Sequence, residues 1–484
     1  MTTEQVQHKK VTLPYNEHDY GIVLRSSAVF YFKNDRFFKT TISILNYWKI
    51  KRNLDVTILA SLRKMDGSLI KREIIDFQKG SVINYSPPIS EDYFEGSVEI
   101  EVFALENLVI PYVGIIVVYE SKHGISMVHT YERIYSNHEI EEKRTTLPGE
   151  ECCCNGIKDS EEIESFTVFH NGSRRFPEQR FHISILNYKG QRQESSFLLP
   201  ELAPYETVKI RHRDYFPELI SFLDGKPGYP SYSFKLSDCF TRMLVANQKR
   251  DGSDFQVTHS DFNLTKHVTS PLEDGKFAYM FVPRINNTYE EVVVYPDCDP
   301  GNYEVSSNSG LSAFFNGNKP AIIFIKGSDS EKLTFKKLKG NVPSRLHTGL
   351  KLSRSSSRLT AETCLGVYHE FTPPKHFFWG ICATNSKLKS QILLQQFSWS
   401  KEETYPNSPV IIKLYSEKNN ESQQIAIEPS KLKNGKYLSE LFSNVEEFLG
   451  TGFGWFTLYN PYPTCMAYST LENDQGSICF EHTM

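Results

Sequence analysis

Ile42-Ser43-Ile44-Leu45-Asn46-Tyr47 recurs without a change as Ile183-Ser184-Ile185-Leu186-Asn187-Tyr188. Apolar side chains alternate with serine in both copies, the period of a strand with one covered face. Six identities in a row are improbable by chance in a chain of 484 residues, and each copy follows an aromatic stretch and precedes a polar break. The pair therefore reads as equivalent strands of a duplicated unit. A fainter match joins Tyr215-Phe216-Pro217-Glu218-Leu219 to Tyr437-Leu438-Ser439-Glu440-Leu441. Each is followed by Phe-Leu, a glycine-bearing loop and an apolar strand, and each segment closes on a histidine, His259 after 44 residues and His482 after 45.

Working outward, short runs rich in β-branched and aromatic residues fill the chain, and turns such as Met65-Asp66-Gly67, Arg250-Asp251-Gly252 and Asn316-Gly317 punctuate them. Helical periodicity is confined to short stretches at 215–223 and 437–449. The fold class expected is mainly β. His129, His259, His369 and His482 each close a strand-like run, at spacings of 130, 110 and 113 residues. That is the size of one β-sandwich of seven or eight strands. Four tandem sandwich-like units are expected, at 1–138, 165–270, 271–373 and 374–484. Between the first two, 139–164 carries nine acidic and three basic residues, Pro148-Gly149 and Cys152-Cys153-Cys154, and reads as an acidic linker or capping loop.

Composition narrows the function. Fifty-four Lys and Arg against 58 Asp and Glu give a net charge of −4, which removes the electrostatic case for nucleic acid or an anionic membrane. No run approaches the roughly 18 apolar residues of a membrane span; the most apolar stretch, 108–119, is broken by Pro111 and Gly114 and reads as buried strand. The first residues lack a basic segment followed by an apolar one, so a cytoplasmic location is expected. Nine cysteines, three of them consecutive, do not make a distributed disulfide framework and fit a reducing compartment.

The histidines are the first candidate chemistry. Imidazoles from several units meeting at one point would hold Zn, Cu or Fe, which makes His129, His259, His369 and His482 the candidate metal ligands. Tandem units spread equivalent positions along an array, so separation is expected and a divalent metal is not the favoured reading. The pair to watch is His259 and His482, whose segments match best, with Glu218, Glu440 or Arg242 alongside. Arg211 and Arg213 share one face of an extended stretch and suit a carboxylate or anionic sugar. Tyr229, Tyr232, Trp379, Trp399 and Trp455 are aromatics able to stack on a sugar, although core packing is the better expectation for each.

The Cys triplet cannot readily wrap a tetrahedral ion, and the glycines of Gly450-Thr451-Gly452-Phe453-Gly454 match a turn at Gly225-Lys226-Pro227-Gly228 rather than a phosphate loop. G-x-x-x-x-G-K-[ST], H-E-x-x-H and G-x-S-x-G are missing from the sequence. The reading is a non-catalytic binding or scaffold protein acting on a glycan, a sugar precursor or a protein partner. The alternative is an enzyme with its site between units, built around a metal on the recurrent histidines. The sequence leaves oligomeric state and cofactor open.

Overall fold

A computed structural model describes residues 24–76, 80–89, 92–104, 114–129, 132–134, 147–152, 156–236, 239–240, 242–262, 269–270, 273–285, 288–295, 302–316, 319–325, 331–339, 342–343, 345–346, 348–365, 367–368, 376–398, 408–419, 421–461 and 465–483. Over these residues the chain is mainly β, a tandem series of sandwich-like units with short helices.

The first unit holds β1 (Leu24–Asp35), β2 (Lys39–Leu45), β3 (Val56–Lys64), β4 (Leu69–Ile75), β5 (Val82–Tyr85), β6 (Tyr93–Ala104), β7 (Ile115–Glu120) and β8 (Ile125–Val128), with α1 (Tyr47–Arg52) after β2. Its sheets run β1-β6-β3-β4 and β5-β2-β7-β8, antiparallel throughout. The second holds β9 (Leu147–Cys152), β10 (Ile163–His170), β11 (Gln179–Asn187), β12 (Arg192–Leu199), β13 (Thr207–Arg211), α2 (His212–Tyr215), α3 (Leu219–Leu223), β14 (Gly228–Leu236), β15 (Leu244–Lys249) and β16 (Phe255–His259). Its sheets contain β9-β14-β11-β12 and β13-β10-β15-β16.

The third unit follows with β17 (Phe277–Val282), β18 (Tyr289–Val294), β19 (Asn302–Ser307), β20 (Ser312–Phe315), β21 (Ala321–Ile325), β22 (Glu331–Lys339), β23 (Thr348–Ser353) and β24 (Ala361–Cys364), ordered β17-β22-β19-β20 and β21-β18-β23-β24. The fourth has β25 (Phe377–Cys382), β26 (Gln391–Ser398), β27 (Val410–Tyr415), β28 (Gln423–Ile427), β29 (Lys436–Tyr437), α4 (Leu438–Leu441), α5 (Val445–Leu449), β30 (Gly454–Tyr459), β31 (Cys465–Asn473) and β32 (Ile478–His482). It contains β25-β30-β27-β28 and β29-β26-β31-β32. The strand order is thus the same four times over.

Local chemistry explains the turns. In the β3–β4 hairpin Gly67 takes φ 81° and lies so close to Pro204 that a Cβ there would stand 2.2 Å from its carbonyl oxygen. Gly252, at φ 72°, closes the β15–β16 hairpin by donating to Lys249 O at 2.9 Å.

The identical hexapeptides do not occupy equivalent strands. Ile42–Leu45 belongs to β2, the second strand of its unit, whereas Ile183–Asn187 belongs to β11, the third. Ser43 of β2 is buried whereas Ser184 of β11 is half-buried, so identity of pattern did not carry identity of place. The fainter match does mark equivalent places, since α2–α3 and α4–α5 both bridge a fifth strand to a sixth. It is out of step, because Tyr215 ends α2 while Tyr437 precedes α4.

The stretch expected as an acidic linker or capping loop, 139–164, contains β9, paired with β14 and with Asp261–Phe262. Beyond it Asp159 is buried and accepts a hydrogen bond from Ser165 Oγ at 2.9 Å. Pro148 and Gly149 belong to this strand, where Pro148 faces Lys235 on one side while the pairing with Asp261–Phe262 begins only at Glu151. A proline is tolerated on a strand where its missing N–H has no partner to serve.

The units close on one another through their last strands. β8 lies against β16 and β32, and β24 lies against the same two, so four eighth strands form a ring. Gln256 Nε2 on β16 donates to Ile125 O of β8 at 2.9 Å, and Ile125 N donates to Ser477 Oγ beside β32 at 3.1 Å. On another flank Trp455 of β30 is fully buried in the first unit's core, with Nε1 donating to Ser43 Oγ at 2.9 Å. Among the described residues no helix is long and apolar enough to cross a membrane.

Candidate metal centre

Where the ring of eighth strands ends, three histidines from three units meet. His129 follows β8, His259 closes β16 and His482 closes β32, with Glu481 just before it. One ligand atom from each of these four residues lies within 4.8 Å of all the others. The ring centroids of His129 are 4.6 Å from His259 and 4.2 Å from His482. Separation, the expectation for equivalent positions in a tandem array, does not hold for these three. The array is closed rather than linear, and a ring brings its equivalent strand ends together.

His259 Nδ1 donates to Ser260 O at 2.8 Å, which makes Nε2 the nitrogen that a metal would take. His129 Nδ1 stands 3.1 Å from Glu481 Oε1, and His482 Nε2 is 3.9 Å from the same oxygen. Glu481 is 2% exposed, His259 2% and His129 4%. Burial pushes the Glu481 carboxyl up to about 7, held back by the charge of His259, backbone donors at His482 and His129, and Arg242. Arg242 Nη1 lies 3.3 Å from His129 Nε2 and 3.5 Å from His259 Nε2.

These four residues could hold a cation. Three imidazoles and a carboxylate form a borderline donor set suited to a divalent transition metal. The His259 bond to a backbone carbonyl is the kind of support that metal-bound imidazoles receive. Tetrahedral bonds of about 2.0–2.1 Å set donors about 3.3 Å apart, so the cluster needs a modest closing of side chains to grip an ion. A metal there would compete with the Arg242 guanidinium for the nitrogens of His129 and His259.

The other expected residues sit elsewhere. Arg211 ends β13 with Nε 3.3 Å from Glu164 Oε1, and Arg213 is bound to Asp159. They line a cavity of about 140 Å³ together with Arg250, and carboxylates already answer their charge. Glu218 is the N-cap of α3 and Glu440 closes a capping box at Tyr437, so neither serves the histidine cluster. His369, Trp399, Cys153 and Cys154 lie outside the described residues. Tyr229, Tyr232, Trp379 and Trp455 are buried.

Cys364 takes the strand-end position of the third unit. Leu365 N donates to Thr348 O at 2.8 Å, as Ser260 N does to Met243 O at 2.7 Å and Thr483 N to Ala467 O at 3.0 Å. Glu481 is the member of the cluster that sequence reasoning missed. It adjoins His482, and neighbours in a strand point to opposite faces; at a strand's end, inside a ring of units, both sides are interior. No protein-family model matches the chain, and no curated protein matches it in sequence.

Proposed function

We propose that the chain is a non-catalytic binding or scaffold protein whose four sandwich units arose by duplication, and that a divalent transition-metal ion on His129, His259, Glu481 and His482 locks three of them together. The convergence of four ligand atoms within 4.8 Å, drawn from the first, second and fourth units, carries this reading. Four protein donors, three of them buried and His482 half-buried, suit a closed structural site, whereas a catalytic metal keeps one position open. Zinc fits the mixed nitrogen and oxygen donors best. Cys239, Cys364, Cys382, Cys465 and Cys479 are buried like small apolar side chains, which supports a reducing compartment such as the cytoplasm.

Elemental analysis of protein purified without a polyhistidine tag tests the proposal. About one equivalent of a divalent transition metal per chain is expected, and His259→Ala should lose it. Protein that stays metal-free after incubation with zinc, manganese and ferrous iron followed by dialysis would overturn it.

A further inference from the structure

The outer face of the fourth unit's β25-β30-β27-β28 sheet is only partly covered. Where the first unit lies on it, Trp455 and Tyr415 are buried side by side in register. Four residues further along the strands, past the end of that cover, Phe377 pairs with Tyr459 and Tyr459 with Ile411. This row forms the floor of a cleft of about 330 Å³. Tyr459 is 48% exposed there. Beside the apolar row runs a polar one, with Lys413 opposite Gln424. Lys51 of α1 forms the opposite wall, its Nζ 5.3 Å from the centroid of the Phe377 ring.

We propose that this cleft binds an acidic saccharide, a chain of pyranose rings carrying carboxylates. Sugar C–H faces stack on flat apolar side chains, which the row Phe377, Tyr459 and Ile411 supplies. Hydroxyls pair with the Gln424 amide, and a carboxylate is met by Lys413 and Lys51. Among the described residues no carboxylate lines the cleft, so its charge is complementary to an anion. A polyphosphate is the less suitable anion. It is held by converging backbone N–H groups, and here the strand amides are spent on their ladder partners.

The inference rests on the binding-protein reading but uses a site remote in sequence from the metal ligands, so the two fail separately. The full-length chain is titrated by calorimetry with tetragalacturonate, with a neutral galactose tetrasaccharide and with ATP, and the metal content of each sample is recorded. Saturable binding of tetragalacturonate is expected, at least about tenfold tighter than the neutral sugar, because a charged hydrogen bond is worth about 1.5–3 kcal/mol. Tyr459→Ala and Lys413→Gln should each weaken it roughly tenfold while leaving metal content and melting temperature unchanged. Both side chains are exposed, so neither change threatens the fold. Absence of binding, binding that ignores both substitutions, or tighter binding of ATP would overturn the proposal whatever the metal content.

Discussion

His129 Nδ1 of the first unit stands 3.1 Å from Glu481 Oε1 of the fourth, so residues from the first and last units meet in a buried contact. The contact follows from how the units are arranged. Each puts its eighth strand inward, β8 and β24 both touch β16 and β32, and strand ends that are far apart in sequence face one centre. A buried carboxylate beside imidazoles and a guanidinium is costly to desolvate, and its stabilisation comes from those neighbours holding their places. A cation held there would therefore tie the packing of the units to its own occupancy.

Metal should accordingly stabilise the fold. Zinc added to chelator-stripped protein is expected to raise the melting temperature by a few degrees, since a ligand at 100 times its Kd contributes about 2.7 kcal/mol. The rise should vanish in His259→Ala and in Glu481→Gln. Thermal melts with and without zinc check this, and an equal rise in His259→Ala would place the ion elsewhere.

Much of this architecture is legible in the sequence, for reasons that can be named. Short β-branched runs and turns such as Arg250-Asp251-Gly252 mark the strands because a strand's period and a tight turn's φ are local properties. The spacing of His129, His259 and His482 marks the last strands because those ends sit at the same place in each unit. What the sequence conceals is tertiary. Whether units stack or close into a ring depends on contacts such as Gln256 to Ile125, which have no signature in spacing. The Ile42 and Ile183 hexapeptides misled because a short apolar run records a strand and not which strand of the unit it is.

The two asparagines of that hexapeptide should now differ. Asn46 caps α1 with a single side-chain bond, accepting from Lys49 N at 3.2 Å. Asn187 accepts from Lys189 N and Gln191 N, both at 3.0 Å, and donates to Gln191 Oε1 at 2.9 Å and Phe222 O at 3.2 Å. Asn46→Ala should cost about 1 kcal/mol, as loss of a helix cap does. Asn187→Ala should cost more, about 2–3 kcal/mol, because several groups lose their partner together. Urea unfolding of both variants checks the order, and equal losses would contradict it.

Ser43 sits under the Trp455 indole and also donates to Asn84 Oδ1 at 2.8 Å. Ser43→Ala leaves a buried indole N–H without its acceptor, which costs about 1–3 kcal/mol. The loss falls on the contact between the first and fourth units. Double-mutant analysis with Trp455→Phe should show strong coupling, because the second change removes the donor that the first one strands. Additive losses would mean that the indole finds another acceptor.

Acid should weaken the second unit through two buried histidines. His212 is hydrogen-bonded with Thr167 Oγ1 at 3.0 Å, Tyr232 OH at 2.9 Å and Ser165 Oγ at 3.1 Å, and burial pushes it down to about 4 from an ordinary 6.5. His170, paired with Thr207 Oγ1 at 2.8 Å, is pushed down to about 3 by the same cause. Between pH 6.5 and 4 the unfolded chain binds a proton at each position and the folded chain does not. Stability therefore falls as pH is lowered through that window, by up to about 1.4 kcal/mol per pH unit for each group. Below about pH 4 the His212 share of the loss is complete, while that of His170 continues toward pH 3. His212→Gln keeps hydrogen-bonding atoms but takes no proton, so the slope of stability against pH from 6.5 to 4 should drop by one histidine's share. Urea midpoints measured at intervals across that range check the sign, and a slope unchanged in His212→Gln would show that this imidazole is protonated in the folded protein.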